Sequence, residues 1–177
     1  MEQLLLHTCC APCALMPYTY FKDLYNLTFF FYNPNIHPEE EFYRRRNTFL
    51  DFMHEEQLSY IDEEKYLTYQ GYDAWAKELP TLSYPTRCYT CYVPRLEECA
   101  KLAAKFDYPY FTTTLLYSRY QKQEVIIEKG HFFAEKYGVK FIDKDFRPYW
   151  NEGIALSKEK KMYRQKYCGC NLPYTAL

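Results

Sequence analysis

MEQLLLHTCCAPCAL, residues 1–15, runs an apolar stretch straight into Cys9, Cys10 and Cys13. Residues 4–8 have the continuous apolar character of a strand buried on both faces. Residues 12–25 read as a helix with Pro12 in its first turn, where the missing N–H has no helical partner to lose. Three thiols therefore sit in a strand-to-helix turn. The same alternation recurs along the chain. An apolar run at 27–32 is followed by the turn-rich "NPNIHP" and a charged helix over 39–57, then a short strand at 58–62. "YQGYDAWAKEL" (69–79) reads as a short helix, and the Pro-punctuated loop "PTLSYPTRCYTC" (80–91) leads into a helix over 92–106. A Thr- and Tyr-rich strand at 110–116, a helix over 121–137 stopped by Gly138, a last strand at 139–143 and a final helix over 152–166 complete the pattern. This rhythm predicts an α/β fold, a Rossmann-like parallel sheet with helices on both faces, as a single domain over residues 1–177. Ligands of such sheets bind beyond the carboxyl ends of the strands. Strand order is not readable from one sequence.

The chain has 177 residues, 48% hydrophobic and 25% charged, enough for one sizeable core. It has no apolar run long enough to span a bilayer and no secretory leader pattern, so it reads as cytoplasmic with no membrane partner. In a reducing cytosol, eight cysteines point to metal or redox chemistry before structural disulfides. A net charge of −1 means that any polyanion site is a local basic patch. Aromatics make up 20% of residues, with 21 tyrosines, a surplus beyond core needs that suits base stacking or a tyrosine-rich rim equally.

Seven of the thiols cluster, as Cys9, Cys10 and Cys13, as Cys88 and Cys91, and as Cys168 and Cys170; Cys99 stands alone in a helix and reads as a small buried hydrophobe. A closed zinc site takes four ligands, so seven thiols fit two inorganic centres better than one. Four thiolates suit an Fe–S cluster, and the other three suit a second metal completed by a carboxylate or solvent. A zinc site with spare thiols, or a redox-active C-x-x-C, is the plainer alternative. No single segment holds four thiols, so the first turn, the middle cysteines and the C-terminal pair must converge.

Near the last strand, "FIDKDFRPYWNEG" places Asp145 and Asp143 at the carboxyl edge as hard oxygen ligands or acids, with Arg147 beside them. "SKEKKMYRQKY" (157–167) is basic with interleaved tyrosines; on a helix Lys160, Tyr163, Arg164 and Tyr167 share one face, a strip for phosphates and bases that ends at Cys168. "YRRR" (43–46) offers a second strip, although basic helix faces are commonly just solvated. His7 is a candidate to orient a ligand from behind, and "TTTLLYS" (112–118) could present hydroxyls at a strand end.

The segments LLLHTCCAPCA, YNPNIHPEEEFYRR, RCYTCYVPRL, FTTTLLYS, KYGVKFIDKDFRP and SKEKKMYRQKYCGC, in that order and spanning almost the whole chain, resemble the QueH family of epoxyqueuosine reductases. One departure is Arg119 after LLYS, where family members usually carry Pro. The resemblance implies cobalamin-independent, two-electron removal of the epoxide oxygen of epoxyqueuosine at the tRNA wobble position, giving queuosine and water. It implies a 4Fe-4S cluster beside a second metal ion, iron or zinc, with the seven clustered cysteines as ligands. Their division stays open; one gives the cluster Cys10, Cys88, Cys91 and Cys168, and the ion Cys9, Cys13 or Cys170 with an aspartate. Tyr163, Asp143 or Asp145 would supply the proton, and Arg147, Lys160, Arg164 and Tyr167 would meet the tRNA anticodon loop. With no nicotinamide or flavin fingerprint, electrons come from an external donor such as a ferredoxin or flavodoxin. Two other readings compete: a zinc-stabilised RNA-binding module without catalysis, and a tRNA thiolation enzyme. The glycine-free first turn argues against an ATP-dependent version of the latter.

Overall fold

Leu5 and Leu6 of the first strand face opposite ways, and both are fully buried, as only a central strand with helices on both faces requires. That strand, β1 (Gln3–His7), lies in the middle of a five-stranded, all-parallel sheet of order β3-β2-β1-β4-β5. The computed structural model describes residues 1–71 and 86–170. The helix expected within 69–79 and the loop beginning at residue 80 fall largely outside the described residues, as does the tail after Cys170. The remaining strands are β2 (Asn26–Phe30), β3 (Ser59–Tyr60), β4 (Tyr110–Thr113) and β5 (Lys140–Phe141); the helices are α1 (Ala11–Phe21), α2 (Glu39–Glu55), α3 (Glu64–Leu67), α4 (Thr86–Lys105), α5 (Gln123–Tyr137) and α6 (Trp150–Glu159). Leu6, Phe29 and Phe31 pack with α1 and with Phe42, Phe49 and Phe52 of α2. Leu5, Phe30 and Phe111 pack on the other face with Leu96, Cys99 and Leu102 of α4 and Phe133 of α5. The Rossmann-like expectation holds.

The order places a topological switch between β1 and β4: the chain winds outward from β1 through β2 to β3, then returns to the other side of β1. The crevice at such a switch, beyond the carboxyl ends of the strands, is where open α/β sheets hold ligands. Cys9 and Cys10 leave β1 at that point.

Four local expectations change. The helix expected from 92 begins at Thr86, so Cys88 and Cys91 lie in its first turns and not in a loop; Cys91, Arg95 and Cys99 share its buried face at four-residue spacing. β4 stops at Thr113 because its hydroxyl accepts from the Leu115 N–H (3.2 Å), and residues Thr114–Tyr117 form a 3-10 turn. A short α3 stands where no element was expected. The largest correction is at the C-terminus: α6 ends at Glu159, so Lys160, Tyr163, Arg164 and Tyr167 do not form one helical face. Their stretch leaves as an irregular strap, after Lys161 takes a left-handed conformation (φ 53°).

Candidate metal centre

The Sγ atoms of Cys9, Cys10 and Cys13 all lie within 4.8 Å of one another, with Cys10 and Cys13 buried and Cys9 half-buried. β1 delivers the first two and the opening turn of α1 the third. All eight cysteines are unbridged thiols. The turn after β4 supports the group from the other side of the switch: Thr114 Oγ1 accepts from the Cys9 N–H (3.0 Å) and donates to Cys9 Sγ (3.2 Å). From the far end of the chain, Gln165 Nε2 donates to Cys10 Sγ (2.9 Å) and lies 3.5 Å from Cys13 Sγ. The electrostatics are uneven. Hydrogen bonds from Cys10 and then Cys13 hold the Cys9 thiol well below its ordinary pKa, with Thr114 and His7 adding to the effect. Burial pushes Cys10 up, and Cys13 rises because its hydrogen bonds to Cys10 and Cys9 favour its protonated form. Deprotonation is therefore easiest at Cys9, and a metal bound by the three would displace their protons.

Behind them His7 is fully buried. Its Nε2 lies 3.0 Å from the Tyr32 carbonyl, which can only accept, so Nε2 carries the proton and Nδ1 accepts from the Thr113 hydroxyl (2.8 Å). Burial, and then the Arg95 charge, lower its pKa to about 4, so the ring is neutral at pH 7.

Cys88 and Cys91 form the second group. Burial first, and then the neighbouring Cys168 and Cys170, raise Cys88; burial lifts Cys91 to about 11, against the pull of Arg95, whose Nη2 donates to Cys91 Sγ (3.2 Å). The middle and C-terminal pairs thus lie within electrostatic reach of each other. The structure groups Cys10 with Cys9 and Cys13, not with the middle pair, while Cys99 is fully buried in the core as expected.

The strap is anchored by α2. Arg45, almost fully buried, donates through Nε to Glu41 Oε1 (2.7 Å), through Nη2 to the Tyr167 carbonyl (2.9 Å) and through Nη1 to the Cys168 carbonyl (3.2 Å). Glu41 Oε2 accepts from the Tyr163 hydroxyl (2.7 Å), and the Tyr167 hydroxyl donates to the His37 carbonyl. Asn35 Nδ2 donates to the Cys168 carbonyl (3.2 Å), and the His37 N–H to the Gly169 carbonyl (2.8 Å). "YRRR" is therefore not a solvated strip: its middle arginine is a buried clamp, and Arg44 lies over the Tyr163 ring. Lys160 pairs with Glu56, and Arg147 makes a two-pronged pair with Asp145 that holds its carboxyl below the usual range. Asp143 accepts from His131 at the surface. Arg164 is exposed. Sequence reasoning read Arg45 only as part of a basic strip and passed over Glu41, Gln165 and Arg95; only the Glu-x-x-x-Arg spacing of the clamp left a trace in the sequence.

A model of the family described as "Epoxyqueuosine reductase QueH" matches residues 4–175. The chain belongs to the QueH family. It is similar to QueH proteins named epoxyqueuosine reductase from Thermotoga maritima (38% identical, covering 96% of this chain and 89% of the relative), Haemophilus influenzae (35%, 96% and 70%) and Histophilus somni (33%, 96% and 71%). Membership of this reductase family makes the chain an oxidoreductase. The match to the QueH family begins at Leu4, in β1, and runs beyond Cys170, so it contains both thiol groups and the strap between them. Among the described residues no helix is long and apolar enough to cross a membrane.

Proposed function

We propose that this chain reduces epoxyqueuosine in the tRNA anticodon wobble position to queuosine, the epoxide oxygen leaving as water with two electrons and two protons. The observation that carries the reading is the meeting, at the β1/β4 switch, of a strand-end thiol triad with a strap from the far end of the chain, in a chain that belongs to the QueH family.

The donor sets fit metals. Cys88, Cys91, Cys168 and Cys170 would hold a 4Fe-4S cluster through four thiolates, and Cys9, Cys10 and Cys13 would hold a second ion, iron or zinc, through three. When bound, these groups supply single electrons and a Lewis acid for the epoxide oxygen. The rest is the protein's own work. Thr114 and Gln165 orient the triad through hydrogen bonds to sulfur. Neutral His7 fixes the β1 end between Thr113 and Tyr32 without adding a charge. Arg45 and Asn35 hold the carbonyl of Cys168, which fixes the backbone that carries the last two thiols. Asp145, ionised by Arg147, suits an oxygen ligand or an electrostatic partner, whereas Tyr163 carries a proton it can donate; these two, with Asp143, form the proposed acid and ligand set. Arg147, Lys160, Arg164 and Tyr167 are the proposed contacts to the anticodon loop. The reductant is a low-potential external donor such as a ferredoxin or flavodoxin, and the reaction belongs to the cytoplasm.

The test is anaerobic. Metal-loaded protein, a chemical reductant and an anticodon stem-loop carrying epoxyqueuosine are incubated, and the digested nucleosides are read by mass spectrometry. The expected product has lost one oxygen atom. A colourless, zinc-only protein that binds the stem-loop and leaves the nucleoside unchanged would overturn the reading in favour of a binding module.

A further inference from the structure

Ser118 ends the 3-10 turn after β4, and the next two side chains, Arg119 and Tyr120, point outward; Tyr120 is 81% exposed. Neither is loose. The Tyr120 ring meets Trp150 edge-on (centroids 5.7 Å apart, 82°), and the Arg119 guanidinium lies over the same indole (5.8 Å). Trp150 is itself stacked on buried Tyr117 (5.1 Å, 28°), whose hydroxyl donates to the Trp150 carbonyl (2.9 Å). One turn along α6, Gly153 allows this approach: a Cβ there would overlap the Tyr117 ring and would reach to 2.9 Å from Met16 of α1. The result is a fixed aromatic ledge with a cation on it.

The ledge adjoins the thiol triad. Tyr117 belongs to the same turn as Thr114, which binds Cys9, and its phenol is raised by burial and then by Cys13 and Cys10, while Arg164 and Arg119 act in the opposite direction. Those two arginines therefore stand close to the ring that separates ledge from triad. Among the described residues, neither makes an ion pair, in contrast to Arg44, Arg45, Arg147 and Lys160. Core packing does not explain an almost fully exposed tyrosine beside an unpaired guanidinium and an indole. Flat π-faces with free cations at their edge fit an unpaired nucleobase and its phosphate.

We propose that Arg119, Tyr120 and Trp150 form a stacking platform for an unpaired RNA base neighbouring the reacting nucleotide, with Arg119 and Arg164 meeting its phosphates. The proposal rests on the reading that the reacting nucleotide sits at the thiols.

The experiment is fluorescence anisotropy with full-length, metal-loaded protein, a labelled anticodon stem-loop RNA and a blunt duplex, over a salt series. Tyr120→Ala is expected to weaken stem-loop binding by about 5- to 150-fold, the range for removing a base-stacking ring, with an unchanged salt slope. Tyr120→Phe keeps the ring and stays within about twofold of the parent. Arg119→Ala weakens binding and reduces the slope of log Kd against log salt by about 0.7–1, one phosphate contact. Unchanged metal content and melting temperature show that each variant is folded. Stem-loop binding by Tyr120→Ala within twofold of the parent would overturn the platform, as would equal losses on stem-loop and duplex. If the parent fails to reduce the epoxide yet Tyr120→Ala selectively loses the stem-loop, the reaction is wrong and the platform stands; if the parent reduces it and the variants bind unchanged, only the platform falls.

Discussion

Replacing Arg45 by Met removes one guanidinium and exposes how the two ends of the chain are held together. The side chain is 2% exposed and its partner Glu41 is 7% exposed, so the methionine fills similar volume but leaves a buried carboxylate without its strongest partner. Breaking a buried pair in this way costs about 3–5 kcal/mol. The Tyr163 hydroxyl, still bonded to Glu41, places the effect toward the lower end of that range. For a chain of this length the corresponding fall in Tm is about 6–20 °C. The double variant Glu41→Gln/Arg45→Met removes the stranded charge, so it should recover a large part of the loss. The Tyr167 and Cys168 carbonyls, however, remain without their arginine donor in both variants. The assays are urea unfolding of parent, both single variants and the double, together with anaerobic alkylation rates at Cys168. The single variant is expected to be the least stable of the set, and Cys168 to react faster in both variants that lack Arg45. A single variant as stable as the parent, or a double variant whose Cys168 is as slow as the parent's, would refute the clamp.

Gly169 has φ +118°, and a Cβ there would come within 2.9 Å of Asn35 Nδ2 and Ile36 Cγ1, so Gly169→Ala should lift the terminal pair and lower iron bound after reconstitution, at a stability loss of about 1–3 kcal/mol. Cys99→Ala should keep the parent's metal content while losing about 1 kcal/mol, since its sulfur is buried in the core apart from the three clusters; iron analysis and thermal melts check both variants. Glu97, hydrogen-bonded by Lys136 and Tyr137, has a lowered pKa, so its contribution is present above the unfolded carboxylate value of about 4.3 and is lost as pH falls through the folded value. Because the pair is partly exposed, Glu97→Gln should lose less than about 1 kcal/mol at pH 7, and the two unfolding curves should converge in more acidic buffer.

The legible parts of this protein were local. Three thiols after a buried strand, Pro12 at a helix start and Gly138 at a helix end each carry their instruction within a few residues, and all three stand as read. What stayed hidden is non-local. The order of β4 beside β1 depends on pairings such as Leu4 with Tyr110, which no short window contains. The charged run after Ser157 has good helix formers but no apolar stripe to bury beyond α6. Tyr163 and Tyr167 instead find Glu41 and the His37 carbonyl, more than a hundred residues earlier in the sequence. Arg45 looked solvated beside its basic neighbours because the carbonyls that bury it belong to the same distant strap.

Gln165 touches a sulfur 155 residues before it. On a translating ribosome, at about 5–20 residues per second, that separation means roughly 8–30 s during which the first turn exists without its distal support. Cofactor delivery to a nascent chain would meet half a cradle and reactive thiols, so insertion belongs after release, and a chain stopped early would be a target for oxidation before it could be a catalyst.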